Sequence, residues 1–164
     1  LSEELKVSVQ KIKSFVLGGH GDSMVAMLGL TEVDGKKINE LVKEGKIKKE
    51  KIDQIIERTK KGGAEIVKYL EKGSAFYAPA ASGVEMATSY LQDLKKQLPC
   101  AAFLNGEYGV KDLYAGVPVI IGSGGVEKVV ELELNSEEKD NFEKSIQAVR
   151  DLFKDAQKID PSLK

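Results

Sequence analysis

The stretch GVPVIIGSGGVEKVVEL, Gly116 to Leu132, decides how this 164-residue chain is read. Two runs rich in Val and Ile flank Gly122-Ser123-Gly124-Gly125. A glycine-rich loop that cradles phosphate joins a strand to the N-terminus of a helix. Here the residues after the loop, Val126 to Leu134, read as another strand, so the four residues are expected to close a β-hairpin. An antiparallel hairpin then organises this part of the chain, regular βαβ alternation is lacking, and no dinucleotide fingerprint occurs elsewhere.

Working outward, Cys100 to Leu104 and Val117 to Ile121 read as strands beside Val126 to Leu134. Downstream, Ser136 with Glu137 and Glu138 suits the start of a long helix. Its apolar residues Phe142, Ile146, Val149 and Phe153 step by four, three and four, giving one apolar face. Upstream, GSAFYAPAASGVE admits two helix starts. Ser82 with Glu85 fits a capping box for a helix running to about Lys96. Ser74 is the rival cap, which places Pro79 in the first turns.

From Lys48 to Leu70 the residues Ile52, Ile55, Ile56, Ile66, Val67 and Leu70 recur at helical spacing. Gly62 and Gly63 interrupt that helix, at about 1 kcal/mol each relative to alanine. Gly63 shares a stripe with Ile52, Ile56, Thr59, Ile66 and Leu70, where a small residue lets a ligand approach the helix backbone. Ile38 to Val42 suits a short helix stopped by Gly45, and Asp34-Gly35 marks a turn. Near the N-terminus, a short helix precedes extended chain from Val7, and Phe15 to Leu17 form a strand entering Gly18-Gly19. A second extended segment follows Asp22, so the expected order is strand, turn, strand. The whole is read as one α+β domain over residues 1–164.

Composition narrows the function classes. Apolar residues make up 41% and charged residues 31%, and the net charge is −1, so nothing draws the chain globally to nucleic acid or anionic lipid. Lys43 to Lys61 holds eight basic residues, but Glu44, Glu50, Asp53 and Glu57 are interleaved and stacking aromatics are missing, so a solvated helix face is expected. No apolar run approaches the ~18–20 residues that span a bilayer. Without a signal or transit peptide the expectation is a cytoplasmic protein, with neither membrane nor nucleic-acid partner. The lone Cys100 cannot form an internal disulfide and reads as a buried, inert thiol. One His and one Cys match no zinc spacing, so no metal is expected.

The chain's only histidine, His20, lies in LGGHGDS, Leu17 to Ser23. Glycines at 18, 19 and 21 leave room for backbone conformations and ligand contact that side chains forbid. Asp22 can bond the backbone of such a turn. A Gly-Asp-Ser nucleophile at Ser23 lacks a downstream histidine to activate it. Imidazole titrates near neutral pH, which suits a proton shuttle to a small substrate. A histidine used this way takes a carboxylate on its other nitrogen, and Asp22 is too close in sequence to face it.

FVLGGHGDSMV resembles the active-site histidine segment of the lactate and malate dehydrogenases. VSVQKIKSFVLGGHGD, RTKKGGAEIV, KGSAFYAPA, FLNGEYG and GVPVIIGSGGVEKVVEL resemble the carboxy-terminal half of that family in order. LGGHGD with SAFYAPA is closest to malate dehydrogenases of the bacterial, lactate-dehydrogenase-like branch; the lactate enzymes usually carry Glu where Gly19 stands. Ala26 stands where the family usually has proline. The resemblance implies a twisted antiparallel sheet with long packed helices. It also implies NAD-dependent interconversion of malate and oxaloacetate, with His20 as acid and base. By the same resemblance Gly63 and Ala75 face substrate and Pro79 touches the nicotinamide side.

The family's NAD-binding glycine fingerprint, its two substrate arginines and the aspartate that orients the histidine have no counterpart in these 164 residues. With Leu1 in place of Met, the expectation is a substrate-side domain of a longer, homo-oligomeric enzyme (dimer or tetramer), inactive alone. A lactate or other 2-hydroxyacid dehydrogenase, or a self-associating assembly module, is the alternative.

Overall fold

The computed structural model describes residues 1–163. Along the chain, α1 (Ser2–Leu5) leads through a 3-10 turn to β1 (Ile12–Lys13), β2 (Val16–Gly18) and β3 (Met24–Ala26). The hairpin of β4 (Glu32–Val33) and β5 (Lys36–Lys37) precedes α2 (Ile38–Lys43), α3 (Lys49–Lys60), α4 (Gly62–Leu70) and α5 (Tyr77–Leu91). β6 (Lys96–Asn105), β7 (Lys111–Gly122), β8 (Gly125–Val129) and α6 (Ser136–Ile159) follow. The architecture is mixed helix and antiparallel sheet, as the α+β reading expects. Two compact units divide it: Leu1–Val16 with Ala26–Ala75, and Leu17–Val25 with Phe76 onward.

The first unit holds a three-stranded antiparallel sheet in the order β1-β4-β5. Asp34 and Gly35 both take positive φ, 52° and 80°, which matches a two-residue turn to the twist of its strands. Val33, Ile38, Leu41, Ile47 and Ile52 are buried together beneath the partly buried Leu5, Val7, Ile12 and Ile56. The interruption expected at Gly62-Gly63 falls one residue earlier. Lys61 leaves helical geometry at φ −96°, ψ 5°, and α4 begins at Gly62.

The second unit is built on β7. β6 pairs with it from Lys96↔Ile121 to Asn105↔Lys111 and so fills one edge. β2 and β8 therefore share the other edge, β2 through Gly18↔Gly116 and β8 from Val119↔Val129 onward. The ladder changes partner around Pro118, a residue with no N–H to give to either strand. Inward side chains Ala102, Leu104, Leu113, Ala115, Val117, Val119 and Ile121 are all buried. Ser89 of α5 ties the helix to this sheet, donating to the Ile121 carbonyl at 2.7 Å and accepting from the Lys96 N–H at 3.2 Å.

The hairpin at Gly122–Gly125 forms as expected, and its N–H groups are already taken. The Ser123 N–H donates to Asp93 Oδ1 at 2.8 Å and the Gly124 N–H to Glu127 Oε1 at 3.3 Å. Lys95 Nζ bridges the two carboxylates, 3.2 Å from Asp93 and 2.7 Å from Glu127. Carboxylates of the chain itself occupy the donors that a phosphate loop would present.

Several boundaries differ from the sequence expectation, each for a tertiary reason. β8 stops at Val129, not Leu134. Beyond it the Val130 N–H still reaches the Pro118 carbonyl at 2.8 Å, but the Tyr108 hydroxyl donates to the Val130 carbonyl at 2.7 Å and accepts from the Leu132 N–H at 2.9 Å, so a side chain takes over where the ladder ends. α5 starts at Tyr77 without a side-chain cap, which places Pro79 in its first turn and Ser82 and Glu85 inside it. The missing N–H of Pro79 costs little there, because first-turn N–H groups have no partner within a helix. α5 ends at Leu91 because Asp93 and Lys95 take positive φ and Lys96 enters β6. Asn135, not Ser136, caps α6, in a capping box with Glu138. Along the α6 face Phe142 and Ile146 are buried, whereas Phe153 is 45% exposed. Cys100 is half-buried because β6 is an edge strand; burial still pushes its thiol pKa up, and it donates to Met86 Sδ at 3.3 Å.

Candidate active site

His20 sits where the glycine spacing puts it, on the turn between β2 and β3. Its backbone is extended, φ −96° and ψ 151°, and it caps a short 3-10 segment, Gly21–Ser23. Gly18 and Gly21 take φ +86° and +71°, conformations that only glycine adopts without strain. The imidazole is exposed and makes no hydrogen bond among the described residues, and neither does the Asp22 carboxylate.

The bonding expected of Asp22 is supplied by serines. Ser145 of α6 is 3% exposed. Its Oγ accepts the Gly19 N–H at 2.8 Å and donates to the Ser23 carbonyl at 2.5 Å. One hydroxyl thus clasps the turn on both sides of His20. Ser23 Oγ in turn donates to the His20 carbonyl at 3.4 Å. A methyl group on Gly19 would press into Ser23 Oγ and lie 3.1 Å from Val149 Cγ2, so a side chain there requires Ser23 to move aside. Sequence reasoning missed Ser145. Its one signal is a serine placed directly before Ile146 on the apolar face of α6.

Pro79 is exposed in the first turn of α5, within the second unit. Gly63 and Ala75 belong to the first unit. Gly63 is exposed on α4 with no atom within 4 Å of an added Cβ, so its backbone is open to approach. Ala75 is half-buried and is the last residue of that unit. Within the same unit Thr59, Gly62, Glu65 and Ile66 line a cavity of about 500 Å³ with Gln54 and Arg58. Arg58 meets Glu65 in a bidentate pair at 3.0 and 2.8 Å, which lowers the Glu65 carboxyl pKa. Among the described residues no group of three or more His, Cys, Asp or Glu could hold a metal ion, and no helix is long and apolar enough to cross a membrane.

A sequence model of the lactate/malate dehydrogenase, alpha/beta C-terminal domain matches residues 1–159. The chain belongs to the lactate/malate dehydrogenase family. The malate dehydrogenase of Pelagibacter ubique (strain HTCC1062) is 61% identical over 163 residues, covering 99% of this chain and 51% of that protein. The crystal structure of Cryptosporidium parvum malate dehydrogenase superposes with a TM-score of 0.92 at 43% identity, covering 96% of this chain and 50% of that one. Lactate dehydrogenase from Eimeria maxima, solved with NADH and oxamate, gives a TM-score of 0.93 at 40% identity over 98% of this chain and 50% of that one. The chain spans about half the length of the relatives it matches.

Proposed function

We propose that this chain is the substrate-side part of an NAD-dependent malate dehydrogenase and that His20 is its acid and base. The observation that carries the reading is the exposed imidazole on a glycine turn clasped by the Ser145 hydroxyl, in a chain 61% identical to a malate dehydrogenase. His20 takes the proton of the C2 hydroxyl of malate, so that the O–H electron pair closes the carbonyl as the C2 hydrogen departs. In the opposite direction a hydride reaches C2 of oxaloacetate and the His20 imidazolium returns the proton to the carbonyl oxygen. When bound, NAD supplies the hydride acceptor at its nicotinamide ring. General acid–base transfer of this kind contributes about 10²–10⁴-fold in rate.

The residues present fit one end of the cofactor. Pro79 offers an exposed apolar ring without an N–H, suited to packing against nicotinamide. The glycine-rich hairpin offers nothing to the phosphates, because Asp93 and Glu127 hold its donors. Gly63 and Ala75 shape the substrate side by being small, and take no part in the chemistry. Apolar side chains exposed on α4 (Ile66, Val67, Leu70) and, in the other unit, on α5 (Tyr77, Val84, Leu91) suit burial against further protein, in keeping with a homo-oligomer.

The test is turnover of malate with NAD by the full-length protein and by the 164-residue chain. The full-length protein is expected to be active, His20→Asn to lower kcat by about 10²-fold or more, and the isolated chain to be inactive. Near-normal turnover by His20→Asn, or turnover by the isolated chain, overturns the reading. Preference for lactate over malate would move it to the lactate branch.

A further inference from the structure

We infer that Ser145 is a positioning residue for His20, a role that rests on the acid–base reading above. Whatever group orients the ring, the place of the imidazole depends on how the backbone that carries it is held. On one side that backbone is anchored by the sheet at Gly18↔Gly116. From Gly18 to Gly21 the turn holds two positive-φ glycines, those two themselves, and glycine of this kind is free to move unless tied.

Ser145 supplies the tie. Its single hydroxyl accepts from the Gly19 N–H and donates to the Ser23 carbonyl, the two sides of the His20 turn, at 2.8 and 2.5 Å. A serine hydroxyl has one proton to give, and here it is committed to the turn. Ser145 itself lies between the buried Phe142 and Ile146 on α6, a helix fixed at its start by the Asn135–Glu138 capping box. Gly18 fits beneath it only as glycine: an added Cβ would strike Ser145 Oγ and lie 2.8 Å from Ser145 Cβ. The Gly18–Ser145 packing, the two hydrogen bonds and the burial converge on the turn that carries His20. Moving a catalytic group by about 1 Å can cost 10²-fold in rate.

A double-mutant cycle in the full-length enzyme separates positioning from general stability. Ser145→Ala is expected to lower kcat by about 10- to 100-fold while leaving KM for NAD within about twofold. In the His20→Asn background the same substitution is expected to change kcat by no more than about twofold, because the group it positions is gone. Equal loss in both backgrounds, or a Ser145→Ala kcat within about twofold of wild type, overturns the inference. If thermal melting shows Ser145→Ala unfolded at the assay temperature, Ser145→Cys takes its place in the cycle, with the same outcomes decisive. A His20→Asn enzyme as fast as wild type instead overturns the acid–base reading itself, whatever Ser145 does.

Discussion

Gly116 faces Gly18 across the β2–β7 pair so closely that a methyl on Gly116 would lie 2.7 Å from the Gly18 carbonyl oxygen. The obstacle is backbone, which cannot swing aside as a side chain does. This close approach sets β2 against β7 at the point where the chain enters the His20 turn. Gly116→Ala is expected to destabilise the protein by about 1–3 kcal/mol through overpacking. For a chain of this size that lowers Tm by about 2–4 °C per kcal/mol. A melting curve superimposable on wild type would show that the strand pair yields without cost.

Gly19 meets a softer obstacle. The nearest atom to an added Cβ is the end of the Ser23 side chain, followed by Val149 Cγ2 at 3.1 Å. Gly19→Ala is therefore expected to cost about 1 kcal/mol or more, and Ser23→Ala in the same chain to recover most of it. The hydrogen bond lost with Ser23 Oγ is long, 3.4 Å, and contributes little. Thermal melts of the two single variants and the double variant check this, since contacting residues give non-additive effects. Strict additivity would mean that Val149, not Ser23, excludes the side chain.

The Asp93–Lys95–Glu127 cluster around the Gly122–Gly125 hairpin predicts an acid-dependent contribution to stability. The Ser123 N–H and then Lys95 hold the Asp93 carboxyl pKa below its ordinary 3.8. Lys95 and then the Gly124 N–H hold that of Glu127 below its ordinary 4.5. A carboxyl whose pKa is lower in the folded state stabilises fully above its unfolded pKa and loses that stability as pH falls through the folded one. Asp93→Asn with Glu127→Gln is thus expected to melt below wild type near neutral pH, with the gap closing as pH drops beneath 4 or so. A gap that stays constant down that range would mean the carboxylates matter only as neutral hydrogen-bond acceptors.

How much of this was legible in the sequence differs from element to element. The Asp34-Gly35 and Gly122–Gly125 turns could be placed because glycine and aspartate report local backbone geometry. The His20 turn was legible for the same reason, and by its resemblance to a family of enzymes. The ends of β8 and α5 were not, because a tyrosine hydroxyl 24 residues away from Leu132 ends the first and the pairing of Lys96 with Ile121 ends the second. Asn135 was passed over as a cap in favour of its neighbour Ser136, since both residue types suit that position and only the backbone distinguishes them.

The order of residues was enough to fix the element types, the hairpin turns, the family and the place of a solitary imidazole on a glycine turn. These all follow from residue-by-residue conformational preference and from short motifs. What holds that turn came from packing between distant segments. Ser145 is 126 residues from Gly19 and 122 from Ser23, and no local pattern relates positions so far apart. It is the packing of α6 against the sheet that makes one buried hydroxyl the partner of both sides of the His20 turn.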